Sequence, residues 1–141
     1  YQLNLIRVNK MPSIFTKIIK NELPAYRIFE NDKIISFLTI EPIHHGHTLV
    51  VPKTEVDHWM DVPENEYQEV YNQAKKIAQA IKKVTGSTRV AQAVVGLEVP
   101  HFHLHLIPMW KPSDLDFKKA KQASDEELIL MQKKLTSALS N

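Results

Sequence analysis

The chain has 141 residues, 43% of them hydrophobic and 24% charged, the balance of one globular domain with a sizeable single core rather than of a disordered or low-complexity chain. With 18 basic and 16 acidic side chains the formal net charge is only +2 and the lysines are dispersed, which argues against a nucleic-acid scaffold and leaves single nucleotides open as ligands. Cysteine is absent, so disulfides and thiolate metal ligands are excluded; with no apolar run near the roughly 18 residues of a membrane span and no secretory-signal order at the N-terminus, the expectation is a cytoplasmic protein with no membrane partner.

Met11 followed by Pro12-Ser13 has the look of a natural start, so residues 1–10 are set aside as a disordered upstream leader or expression remnant and residues 11–141 are taken as one domain. Ser13 can cap a short helix whose apolar face is Phe15, Ile18 and Ile19 with Ile14. Two β-rich runs, 26–29 and 34–40, flank Glu30-Asn31-Asp32-Lys33 and read as a hairpin. A loop from Pro42 to Gly46 leads to a third strand over 48–51. From Pro63 to Val84 apolar residues recur every three or four positions, at Tyr67, Val70, Tyr71, Ala74, Ile77, Ala78, Ile81 and Val84. That spacing predicts a long amphipathic helix, ended by Gly86. A strand over 89–95, a turn at Gly96 and a strand over 99–108 follow. Ser124 with Glu127 has capping-box spacing, and Leu128, Met131, Leu135 and Leu139 continue as one helical face. The expected fold is α+β: a five-stranded antiparallel sheet with one long and two shorter helices.

The last predicted strand carries the chemistry. In Val99-Pro100-His101-Phe102-His103-Leu104-His105-Leu106-Ile107-Pro108, three histidines alternate with apolar residues. An extended chain would place His101, His103 and His105 in one row and Phe102, Leu104 and Leu106 in the core. Three imidazoles side by side compete for protons and add little apolar burial, so a purely structural role is a poor account of them. Two chemistries fit. An HxH pair could hold zinc or iron, completed by His47, His58 or Glu98. Alternatively one imidazole attacks phosphorus while the others orient it and handle charge and protons. Spacing alone leaves both open.

The run from Gly96 to Pro108 resembles the signature of the histidine-triad nucleotide-binding family. Ser13 to Ile19, Ile35 to Pro42 and Gly46 to Lys53 are similar to that family's first helix, second strand and third strand, in the same order. The resemblance implies a homodimer whose sheets join across the interface. It also implies hydrolysis or transfer at the α-phosphate of a purine nucleotide derivative, with no cofactor and no obligatory metal. By position it makes His103 the nucleophile and His105 the residue that contacts phosphate oxygens and can carry a proton. His101 becomes the support of the nucleophile, and His47 a fourth histidine beside the triad. Backbone N–H groups around Glu98 and Val99 would stabilise the charged transition state, and Phe15, Ile18, Phe37, Ile40 and Leu49 would form the slot for the base. A regulatory nucleotide binder with incidental hydrolysis is the alternative from the same fold.

Three departures stand out. Many relatives have Cys-x-x-Cys in the first helix and a histidine after Pro-Lys, completing a zinc site; here the positions are Ser13, Thr16 and Glu55, so no structural zinc is expected. Thr39 replaces the aspartate that holds the ribose, and Glu41, on the same face if the strand persists, is a candidate substitute. Leu97 and Glu98 replace a glutamine and a small hydroxyl residue, and Glu98 either faces an amine leaving group or points to solvent and contributes only its backbone. His44 and His45 are expected to be solvated, and His58 and Trp59 to serve an interface or packing.

Overall fold

The computed structural model describes residues 11–141; the proposed leader lies outside the described residues. Five strands, β1 (Tyr26–Glu30), β2 (Ile34–Leu38), β3 (Thr48–Pro52), β4 (Arg89–Ala93) and β5 (Leu104–Met109), form one antiparallel sheet in the order β1-β2-β3-β5-β4. Three α-helices accompany it: α1 (Ile14–Ile19), α2 (Glu64–Thr85) and α3 (Asp125–Ser140). The expected α+β class, five antiparallel strands and three helices are all present.

Local chemistry explains most of the boundaries. The Asn31 side-chain oxygen accepts from the N–H groups of Lys33 and Ile34, at 2.9 Å each, closing the β1–β2 hairpin. Ser13 caps α1 by accepting from the N–H of Thr16, and Ser124 and Glu127 form the expected capping box of α3. Gly86, at φ +71°, takes the left-handed position that stops α2.

The pleat sorts side chains onto two unlike faces. On one face Ile34, Leu38, Val50, Leu104 and Leu106 pack with Phe102 beneath α2 and α3 in the main core. On the other, Ile35, Phe37, Leu49 and Val51 meet Phe15 and Ile18 of the short α1 in a second cluster. Register carries that second face to the histidines: Phe37 pairs with Leu49, Leu49 with His105 and His105 with Ala93, one row across four strands.

Three strands are shorter than the sequence predicts. The residues expected at the start of the last strand are turned instead: His101 N–H bonds the carbonyl of Val99 (2.8 Å) and Phe102 N–H bonds that of Val56 (2.6 Å). Only His105 of the triad therefore lies in β5; His101 and His103 stand in the bent segment before it. The alternation survives, since Phe102, Leu104 and Leu106 all enter the core. β4 stops at Ala93 ahead of Gly96, which has φ +71°. β2 stops at Leu38 because the Thr39 hydroxyl turns back to accept from Glu41 N–H (3.2 Å). Glu41 thus lies past the end of the strand, which removes the shared-face argument for it as a ribose ligand.

The loop after β3 is anchored from α2. Glu66, buried in the first turn of that helix, accepts from the N–H and hydroxyl of Thr54 at 2.9 and 2.6 Å, fixing the stretch whose Val56 carbonyl holds Phe102.

Candidate active site

His101 is fully buried, and its ring is clamped at both nitrogens. Nε2 lies 2.9 Å from the carbonyl of Pro52 and Nδ1 lies 2.7 Å from the hydroxyl of Ser13. A carbonyl only accepts, so Nε2 carries a proton and, in the neutral ring, Nδ1 receives the Ser13 O–H. Behind Ser13 stands Glu55, which accepts the N–H of Ser13 (2.6 Å) and the hydroxyl of Thr16 (2.8 Å). Burial pushes the Glu55 carboxyl up, but these hydrogen bonds and the neighbouring His101 outweigh it and the net shift is downward. The three positions where relatives carry metal ligands thus form a hydrogen-bonded cluster that holds His101 to the start of α1.

The same logic fixes His103. Its Nδ1 lies 2.7 Å from the carbonyl of His101, so Nδ1 is the protonated nitrogen and the neutral ring keeps its lone pair on Nε2. Phe15 packs edge-on against this ring, centroids 4.9 Å apart, and against His101 at 5.8 Å. Burial pushes the His103 imidazole below its usual value, against the His101 carbonyl, which favours the protonated ring. The charge of His101 also lowers it, and the carboxylate of Glu98 raises it. Glu98 is exposed but stands within electrostatic reach of His103, while Val99 packs on the second apolar cluster.

His47 and His105 form a pair, with Nε2 of His47 2.9 Å from Nδ1 of His105. The N–H of Ile43 donates to Nδ1 of His47 at 3.1 Å, so His47 carries its proton on Nε2 and donates it to His105. His105 must then carry its own proton on Nε2. Burial is the main cause that lowers His47 to about 3 and His105 to about 4, with the neighbouring imidazoles second. The rings of His103 and His105 are 4.8 Å apart. They present, respectively, a bare nitrogen and an N–H.

Of the expected slot residues, Phe15, Ile18, Phe37 and Leu49 come together in the second apolar cluster. Ile40 does not: it lies past the end of β2 and is 55% exposed. Thr39 sits at the same corner, its N–H on the carbonyl of His47 (3.3 Å). His44 rests on Trp110 with ring centroids 4.5 Å apart, and His45 is exposed, 3.9 Å from Glu127. Exposed Trp59 lies 6.4 Å from the ring of Tyr67, and exposed His58 stands 3.9 Å from Asp57, apart from the histidine cluster. For a metal, His101 is poorly disposed, because both its nitrogens are already engaged by oxygens. Among the described residues no group of three His, Cys, Asp or Glu is arranged to hold an ion.

Phe117 was not anticipated. It follows β5 in a polar stretch that reads as loop, yet its ring meets His105 edge-on at 5.0 Å and His47 at 6.4 Å. A lone aromatic among lysines and aspartates was the only available signal.

Residues 20–112, which include all four buried or half-buried histidines of this cluster, match the HIT domain. The chain belongs to the HIT family. It is 35% identical over 120 residues to a HIT-like protein of Borreliella burgdorferi, covering 80% of this chain and 86% of that one. It is 32% identical over 126 residues to the adenosine 5'-monophosphoramidase of Saccharomyces cerevisiae, covering 82% and 80%. A crystal structure of a HIT-like protein from Bartonella henselae superposes with a TM-score of 0.80 at 30% identity, covering 89% of this chain and 95% of that one. No helix among the described residues of this HIT protein is long and apolar enough to cross a membrane.

The lowered histidines carry a stability consequence. Their folded-state values lie below the ordinary 6.5, so between those values and pH 6.5 the unfolded chain binds protons that the folded chain refuses. Unfolding free energy, measured by urea denaturation, is expected to be full above pH 6.5 and to fall as pH drops from 6.5 toward 4. The slope should be shallower in His47→Gln.

Proposed function

We propose that this HIT protein is a hydrolase or transferase acting at the α-phosphate of a purine nucleotide derivative, through a nucleotidyl intermediate on Nε2 of His103. Candidate substrates are a phosphoramidate, a nucleotidyl-lysine or a dinucleoside polyphosphate. The observation that carries the reading is the hydrogen bond from His103 Nδ1 to the carbonyl of His101, which leaves the nucleophilic lone pair on Nε2. The similarity to an adenosine 5'-monophosphoramidase supports it.

For a phosphoramidate the first step forms an Nε2–P bond as the P–N bond breaks. The electron pair leaves with the amine, whose nitrogen takes one proton from solvent. The resulting phosphorylated imidazolium is stabilised through Nδ1–H, which still points at the His101 carbonyl. In the second step water adds its oxygen to phosphorus, the Nε2–P bond returns its electrons to the imidazole, and the released proton passes to solvent. His105 serves best as the donor to a phosphate oxygen. Protonating its Nδ1 would set two N–H groups face to face across the contact with His47, which Ile43 N–H holds in place, so the network favours phosphate contact over proton carriage. Backbone N–H groups around Glu98 and Val99 are assigned to the same charge. The nucleobase is assigned to the cluster of Phe15, Ile18, Phe37 and Leu49, which the cross-strand row brings to His105.

The protein is further proposed to be a homodimer. β4 ends the sheet, pairing only with β5 among the described residues, and exposed Val94, Val95 and Leu97 follow it. A second copy pairing there would cover an unprotected strand edge and continue the sheet.

His103→Ala should lower turnover of adenosine phosphoramidate on the order of a thousandfold, while mass spectrometry of acid-quenched wild-type enzyme should detect the nucleotidyl adduct. Nucleotide binding without turnover or adduct would point to a regulatory binder. Glu98→Ser is expected to slow an amine-leaving substrate more than a dinucleoside polyphosphate, and equal effects would remove Glu98 from leaving-group selection. Sedimentation equilibrium should return twice the chain mass, reduced to one chain mass by Ala91→Pro within β4.

A further inference from the structure

The stretch between β5 and α3 lies mostly beyond the residues matched to the HIT domain. It is ordered by its own contacts. Asp114 accepts the N–H groups of Trp110 and Lys111 at 2.7 and 2.9 Å, and Asp116 accepts that of Lys118 at 2.9 Å, giving two short turns over Pro112–Asp114 and Phe117–Lys119. Farther on, Lys121 N–H reaches the carbonyl of Pro42 (3.4 Å) and Ala123 N–H that of Ile40 (3.0 Å). The stretch is thereby strapped to the loop whose Ile43 N–H fixes the tautomer of His47.

At the middle of the strap, Phe117 is 42% exposed although apolar. Its covered part faces the paired histidines: interplanar angles of 80° with His105 and 73° with His47 make both contacts edge-to-face. The ring thus stands beside the 2.9 Å bond between the two imidazoles. In a drier site, separating or charging the pair costs more.

We propose that Phe117 is a positioning residue, an apolar wall that excludes water from the His47–His105 hydrogen bond and thereby holds His105 with its Nε2–H directed to the phosphate. The inference rests on the assignment of His105 as the phosphate-oxygen donor. The groups around His105 fit this role. Its cross-strand partners Leu49 and Ala93 are uncharged, and the ionisable groups beside it are His47 and His103. On the strap, Asp116 and Lys118 flank Phe117, with Asp116 already accepting the Lys118 N–H. No carboxylate contact is present among these described neighbours to favour the imidazolium, so burial, with the neighbouring His103 imidazole second, favours the neutral ring. Burial is indeed the principal cause of its lowered value of about 4.

The test reads the imidazoles directly in the free protein, by nitrogen-15 NMR titration of wild type, Phe117→Ala and Phe117→Leu. Phe117→Ala should raise the His105 midpoint by about one pH unit or more. It should also move the acid limb of kcat for adenosine phosphoramidate to higher pH, with KM changed less than twofold. Phe117→Leu, which keeps an apolar cover, should titrate near wild type and retain most of the activity. An unshifted His105 midpoint in Phe117→Ala, or an equal shift in both variants, would overturn the proposal. The titration needs no substrate, so it stands or falls separately from covalent catalysis at His103, which the adduct measurement reads.

Discussion

A neutral imidazole has one proton for two nitrogens, so a partner that commits one nitrogen decides what the other can do. In this HIT protein the committing partners are largely backbone groups: the carbonyls of His101 and Pro52 and the N–H of Ile43. None of the three can change its hydrogen-bonding sense. A bare Nε2 on His103 and a protonated Nε2 on His105 follow from them, and the two lie on neighbouring rings. The site therefore holds a bare nitrogen and an N–H side by side with their tautomers already sorted, as the proposed reaction would require.

The sheet serves this arrangement by being covered unequally. α2 and α3 bury one face in the main core, where Phe102, Leu104 and Leu106 hold the histidine segment from beneath. The other face, among the described residues, is covered mainly by the six-residue α1 through Phe15 and Ile18, with Phe117 over His105. That thin cover leaves His105 between Leu49 and Ala93 in the cross-strand row while Phe15 supports the rings of both His101 and His103. Polar chemistry and apolar packing thus share a face, and among the described residues no imidazole is buried without a hydrogen-bond partner.

Much of this was legible in the residues. Period-two alternation through Phe102, Leu104 and Leu106 identified the inward side of the histidine segment, and steps of three and four identified α2 from Val70 through Ile81. Strand ends were less legible because they depend on distant acceptors. The segment at His101 bends because Val99 and Val56 accept its N–H groups, and neither bond has a local pattern. The same holds for Ser13, Thr16 and Glu55, whose departures from the family pattern were visible but whose convergence on His101 spans 88 residues of chain between Ser13 and its ring. Phe117 is the extreme case: an aromatic side chain in a polar loop shows its partner only once the fold brings His105 beneath it.

The bond from Thr54 to Glu66 bears on how the histidine cluster is kept in shape. It ties the loop after β3 to the first turn of a 22-residue helix, and the same loop holds Phe102 and, through Glu55, the start of α1. Moving that wall would unseat elements of the main core together, a cooperative event far more costly than shifting a surface segment. This side of the histidine cluster behaves as a fixed jamb, set by the core rather than by the surface.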